Sequence, residues 1–198
     1  MTSGTPASGR ESHNRRAVFF GGCVPASPQE ENLAHTIGTA LAQVEFALWH
    51  GGYNGLMEQA ARGAAEAGGQ VVAVTLDGVD WGEFNPYVND ATRQPSMGAR
   101  LHTFLDDADL VVAMAGGVGT LHELTAALWY AGNIRPVPVA VAGPTARRLL
   151  DFLRAHQWIY ASPTRPLDFL HEVSSADELR PIVAAITDPV ATAGSPAR

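Results

Sequence analysis

The sequence predicts an α/β fold: a single-domain, Rossmann-like parallel sheet with helices on both faces. Three observations predict it. Short apolar runs recur along the chain, and each is followed by a helical pattern, as expected of strands buried on both faces. The runs named below repeatedly end in glycine clusters, which let the chain turn sharply out of a strand. The length, 198 residues, suits one domain of ordinary size.

Residues 1–15 are rich in Ser, Gly, Thr and Ala without periodicity, and read as a disordered tail ahead of a domain over residues 16–188. Ala17-Val18-Phe19-Phe20 is a buried strand ending at Gly21-Gly22. Ser27-Pro28-Gln29-Glu30 starts a helix, with Ser27 as N-cap, Pro28 at the first helical position and Glu30 closing a capping box. Leu33, Ile37 and Leu41 then mark one buried face. Phe46 to Trp49 is a second strand, closed by Gly51-Gly52. Gly55 to Ala67 is a helix of small residues that Gly68-Gly69 stops.

Val71 to Leu76 is a third strand, and Asp77 to Ser96 reads as a long loop, of the kind that often lies over a site. A helix from Met97 to Asp107 places Met97, Leu101 and Leu105 on one face. Leu110 to Met114 is a strand running into Gly116-Gly117-Val118-Gly119, and Thr120 to Ala131 is the helix after it. Val137 to Val141 is a strand and Thr145 to Trp158 a helix. Ser175 opens the last helix, with Glu178 completing a second capping box. Residues 189–198 read as a flexible tail.

Composition narrows the function. A net charge of −7 argues against a broad nucleic-acid face, which needs basic residues to displace counterions. One cysteine, Cys23, cannot form an intrachain disulfide and fits a reducing cytoplasm; it reads as a small buried thiol. No apolar run is long enough to span a membrane, and no secretory leader is evident. The histidines show no metal-ligand spacing, so no metal site is expected. All 13 basic residues are arginine, so no lysine is present to hold pyridoxal phosphate as a Schiff base, and no cofactor is expected.

The segment Ala115-Gly116-Gly117-Val118-Gly119-Thr120-Leu121-His122-Glu123 joins a strand to a helix through three glycines. Such a turn lets an anion approach backbone N–H groups at the positive end of a helix dipole. No lysine follows the last glycine, so it is not a triphosphate-binding P-loop. Glycines alone leave two readings open: a phosphate site, or a tight turn without a ligand.

The same residues resemble the PGGxGTxxE signature of the Lonely Guy (LOG) family, whose members were once thought to be lysine decarboxylases. Gly51-Gly52-Tyr53-Asn54-Gly55-Leu56-Met57-Glu58-Gln59-Ala60-Ala61-Arg62-Gly63-Ala64 is similar to that family's GGGPGIMEAANRGA stretch. Arg100 matches the arginine of its RK pair, and Phe20-Gly21-Gly22-Cys23 resembles its FGS turn. The sequence departs from the pattern at Ala115 (for proline), Leu101 (for lysine), Gly22-Cys23 (for Gly-Ser) and Tyr53-Asn54 (for Gly-Pro).

The resemblance implies a phosphoribohydrolase that releases the base from a nucleoside 5′-monophosphate. Glu123 and Arg100 would be its catalytic residues. Gly116, Gly117, Val118, Gly119 and Thr120 would bind the phosphate. Gly22, Gly52, Asn54, Met57 and Glu58 are further candidate substrate contacts; for Asn54 and Glu58 capping and solvation, and for Met57 core packing, stand as the alternative. It also implies a homodimer with the active site near the interface, and Trp129 and Tyr130 lie where family members dimerise. A second class remains: a nucleotide-binding or molybdenum-cofactor carrier of the same fold.

Overall fold

The computed structural model describes residues 15–23, 26–164 and 166–188. The two expected tails lie outside these residues, apart from Arg15, which begins the first strand. Along the chain the elements are β1 (Arg15–Phe20), α1 (Pro28–Gln43), β2 (Phe46–His50), α2 (Leu56–Glu66), β3 (Val71–Leu76), β4 (Asp90–Gln94), α3 (Met97–Leu105), β5 (Leu110–Ala113), α4 (Val118–Asn133), β6 (Val139–Ala142), α5 (Pro144–Ala155), β7 (Leu170–Val173) and α6 (Ala176–Thr187).

The strands form one sheet in the order β4-β3-β2-β1-β5-β6-β7, and every pair is parallel. Side chains alternate across it as the strand period requires. From β1, Ala17 and Phe19 enter the core shared with α1, α2 and α6, while Val18 and Phe20 enter the core shared with α3, α4 and α5. Phe20 meets Phe104 edge to face, with ring centroids 5.3 Å apart. The predicted α/β sheet, covered on both faces, is what forms.

The helix starts obey local rules where the sequence supplies the partners. The Ser27 hydroxyl accepts the Glu30 N–H at 3.2 Å, and the Glu30 carboxylate accepts the Ser27 N–H at 3.4 Å, so the capping box is complete. α1 and α2 pack close because small residues face each other. A Cβ on Gly38 would lie 2.0 Å from the Ala60 carbonyl oxygen, and one on Gly63 equally near that of His35.

Three expectations are corrected. The segment from Asp77 to Ser96 is not all loop: it contains β4, an exposed edge strand whose DATRQ sequence has no apolar run to betray it. β7, also at an edge, is equally short and mixed. On α3 the buried residues are Arg100, Phe104 and Leu105, whereas Met97 is 41% exposed. Buried Arg100 turns the helix away from the expected Met97–Leu101–Leu105 face. At α6 the Ser175 side chain makes no cap bond; the Glu178 carboxylate instead accepts the Ser174 N–H at 2.7 Å.

Candidate active site

The chain order reverses between β1 and β5, the switch point where open parallel sheets place ligands. Backbone pairing continues past both strand ends, with Met114 N–H on the Phe20 carbonyl and Gly22 N–H on the Ala115 carbonyl, each 2.8 Å. This draws the two following turns into contact. A Cβ on Gly22 would fall 2.4 Å from the Gly116 Cα, so neither turn has room for a side chain there. A third turn joins them: Gly55, at φ +76°, lies against the Gly22 carbonyl, which accepts the Leu56 N–H at 3.1 Å.

α4 leaves this junction with Gly117 as its N-cap. No side chain caps it, and no acidic residue occupies its first turn. The first-turn N–H groups and the helix dipole therefore face the cleft without a side-chain acceptor among the described residues. Gly119 is informative. A Cβ there would meet no atom of the described residues within 4 Å, so their packing does not demand glycine. Glycine inside a helix costs about 1 kcal/mol relative to alanine.

Arg100 and Glu123 meet on one wall of the cleft. The Arg100 Nη1 donates to the Glu123 Oε1 at 2.8 Å, and its Nε donates to the Val74 carbonyl at 2.9 Å. Both residues are buried. Burial pushes the Glu123 carboxyl above its ordinary range, and the adjacent Arg100 charge and hydrogen bond pull partly the other way. Gly51 makes room for the guanidinium: a Cβ there would sit 3.0 Å from the Arg100 Nη2.

The turn after β2 is held from below by His50. Its Nδ1 accepts the Gly52 N–H at 2.8 Å, while its Nε2 has no partner among the described residues. Complete burial lowers its pKa to about 3, so the ring is neutral.

The cleft measures about 820 Å³. Of the residues expected from sequence, Gly22, Asn54, Met57, Arg100, Gly117, Gly119, Thr120 and Glu123 line it. Four do not. Gly116 lies beneath, packed on Gly22 and on the Thr120 side chain. Gly52 contributes only backbone bonds to His50 and Asn85. Val118 is 83% exposed on the first turn of α4. Glu58 sits on α2 outside the lining, because α2 turns Met57 inward instead.

Cys23 lines the cleft and is exposed rather than buried. Partial burial and then the Glu123 charge raise its thiol pKa, which disfavours the thiolate. Trp81 and Met97 also line the cleft. Met97, which the sequence places on the same face as Leu101 and Leu105, thus faces the cleft, and Trp81 comes from the segment expected to lie over a site. Nothing in the sequence points to His50, because a lone histidine at a strand end carries no periodic signal.

Comparison with known proteins agrees with this architecture. The chain is similar to the molybdenum cofactor binding protein of Rippkaea orientalis, with a TM-score of 0.69 and 22% identity over 89% of this chain and 99% of that one. It is also similar to DNA processing protein A from Helicobacter pylori, described for its single-stranded DNA binding, with a TM-score of 0.59 and 13% identity over 86% and 80% of the two chains. At these identities the likeness is one of fold. An uncharacterized protein of Archaeoglobus fulgidus is 31% identical over 114 residues, which is 56% of this chain and 74% of the relative. The pattern of the SLOG cluster4 family spans residues 17–148, from β1 through the α4 helix and β6 into α5, and the chain belongs to that family.

Proposed function

We propose that the protein binds a nucleoside 5′-monophosphate in this cleft and hydrolyses its N-glycosidic bond, releasing free base and ribose 5-phosphate. The supporting observation is a buried carboxylate, Glu123, held by Arg100 on the helix whose uncapped N-terminus opens into the same cleft. The motif resemblance of Gly116–Glu123 to the LOG signature points the same way. The finer assignment to that family rests on this reading.

The chemistry follows from the charge that develops. As the bond from C1′ to the base nitrogen breaks, its electron pair leaves with the base and positive charge spreads over C1′ and O4′. The backbone N–H groups of the first α4 turn hold the phosphate. The Glu123 carboxylate faces the ribose, stabilises that charge and accepts a proton from the water attacking C1′. The departing base nitrogen takes a proton from solvent. Arg100 orients Glu123, and its charge favours the ionised carboxylate against the effect of burial. No metal or cofactor enters the scheme. A net charge of −7 argues against a nucleic-acid substrate, although a neighbour of this fold binds single-stranded DNA.

Incubation with AMP, CMP, GMP and UMP, followed by detection of free base, tests the proposal. Base from at least one nucleotide supports it. Tight binding without release of base favours the second reading, a nucleotide or molybdenum-cofactor carrier, which the fold likeness to the Rippkaea protein supports.

We further propose a homodimer with the cleft near its interface. On α4, Trp129 is 62% exposed, beside an apolar groove that Trp158 and Tyr160 share. Tyr130 instead donates its hydroxyl to Asp106 at 3.2 Å. A Trp129→Glu variant that becomes monomeric on sizing supports this, and an unchanged elution position opposes it.

A further inference from the structure

The segment between β3 and β4, residues 77–89, is pinned to the turn after β2 by specific bonds. Asn85 is 8% exposed, and its side-chain amide donates to the carbonyls of Gly52 at 3.1 Å and Tyr53 at 2.9 Å. Its own N–H reaches the Gly52 carbonyl at 2.8 Å. The Tyr53 hydroxyl is engaged with Thr75 at 2.7 Å, and its ring lies 5.6 Å from that of Phe84. Phe84 and Tyr87 are therefore half-buried packing groups.

Trp81 is different. Its ring is held edge to face against Tyr53 at 5.7 Å, yet 47% of the residue is exposed, and it lines the cleft. The Arg100 guanidinium carbon lies 6.0 Å from its ring centroid, so the indole stands next to the Arg100–Glu123 pair. A large aromatic side chain fixed by its edge and open to a ligand cleft is a stacking surface. Met57 and Met97 continue the apolar wall.

We propose that Trp81 is the platform on which the leaving base stacks, so that this cleft selects aromatic heterocyclic leaving groups by their face. This rests on the hydrolase reading above and adds its specificity determinant. Face recognition is tolerant of edge chemistry, because every base has a π surface. The expected selectivity is therefore graded by ring overlap, with purine nucleotides above pyrimidine nucleotides.

The experiment compares the native chain with Trp81→Ala and Trp81→Phe. It measures KM for AMP and UMP, the inhibition constant of ribose 5-phosphate, and AMP binding by calorimetry. Stacking predicts that Trp81→Ala raises KM and weakens AMP binding by about 10-fold or more, and that Trp81→Phe recovers most of the loss. Ribose 5-phosphate, which has no base, is expected to inhibit all three proteins equally. A KM and AMP affinity for Trp81→Ala within twofold of the native values overturns the proposal. So does a parallel loss of ribose 5-phosphate inhibition, which signals a collapsed site. If the native chain binds AMP but releases no base, the hydrolase reading fails while the calorimetry still decides Trp81. If it binds no AMP, both fail.

Discussion

α4 and α5 leave the same edge of the sheet through glycine N-caps, Gly117 and Gly143, and neither glycine offers a side chain to the free N–H groups of its helix. At α5 the protein fills the gap itself. Pro144 removes one donor, and the buried Glu30 carboxylate from α1 accepts the Thr145 N–H at 3.2 Å. At α4 no carboxylate of the described residues comes. The nearest buried one, Glu123, lies further along the helix and is engaged by Arg100. The same anion-seeking device is thus closed by an internal glutamate in one place and left open at the switch point in the other. The contrast separates a helix start that the protein caps itself from one that, on the proposed function, receives the substrate phosphate.

The most severe break in this contrast is Glu123→Gln. Base release is expected to fall at least 100-fold, while ribose 5-phosphate still inhibits, because the phosphate site is backbone. Product assays with inhibition measurements check both halves, and native-like turnover in this variant sinks the catalytic assignment. The variant also leaves the Arg100 charge buried without its partner, so thermal unfolding is needed to show that the fold survives.

Gly119→Ala comes next and sharpens the comparison by opposing stability to function. With open space at that position, alanine is expected to stabilise α4 by roughly 0.5–1 kcal/mol and raise the midpoint of thermal unfolding by a few degrees. In the proposed complex the added methyl group stands where the phosphate meets the helix. Nucleotide and ribose 5-phosphate affinities are both expected to fall about 10-fold, a difference of about 1.4 kcal/mol. Calorimetry that finds a more stable protein with undiminished affinity places the anion elsewhere. Glu30→Ala makes the opposite pattern: about 1 kcal/mol of stability lost with its cap, and nucleotide affinity retained.

How much of this is legible in the sequence depends on the range of each interaction. The central strands announce themselves because burial on both faces makes them apolar throughout, as in Val71 to Leu76. β4 does not, because an edge strand tolerates Asp, Thr, Arg and Gln, and its pairing with β3 is decided by tertiary context. The Ser27–Glu30 capping box is local and therefore readable. The bond from Glu30 to Thr145 crosses 115 positions and leaves no local trace. Motif resemblance singles out Arg100 and Glu123 separately, but their contact, and the turn of α3 that buries Arg100, depend on how α3 and α4 pack on the sheet.

The two glutamates differ in titration as well, and the signs give the finest test. Burial raises the Glu123 carboxyl above its ordinary value, against the pull of Arg100. For Glu30, burial again opposes ionisation, but the donors from Thr145 and Ser27 outweigh it and leave the carboxyl below the ordinary value. A raised group contributes stability that is full below its unfolded pKa and is lost as pH rises through its folded pKa. A lowered group contributes stability that is present above its unfolded pKa and is lost as pH falls through its folded pKa. Urea midpoints of the native chain, Glu30→Gln and Glu123→Gln across the acidic range therefore diverge in opposite directions. Relative to the native chain, Glu30→Gln loses least at the acid end, and Glu123→Gln loses least at neutral pH. In the hydrolase assay the acidic limb of the rate profile follows Glu123 alone. It is expected above the ordinary carboxylate range, to move further up in Arg100→Met, and to stay in place in Glu30→Gln. A limb that moves with Glu30 but not with Arg100 assigns the working carboxylate to the wrong helix start.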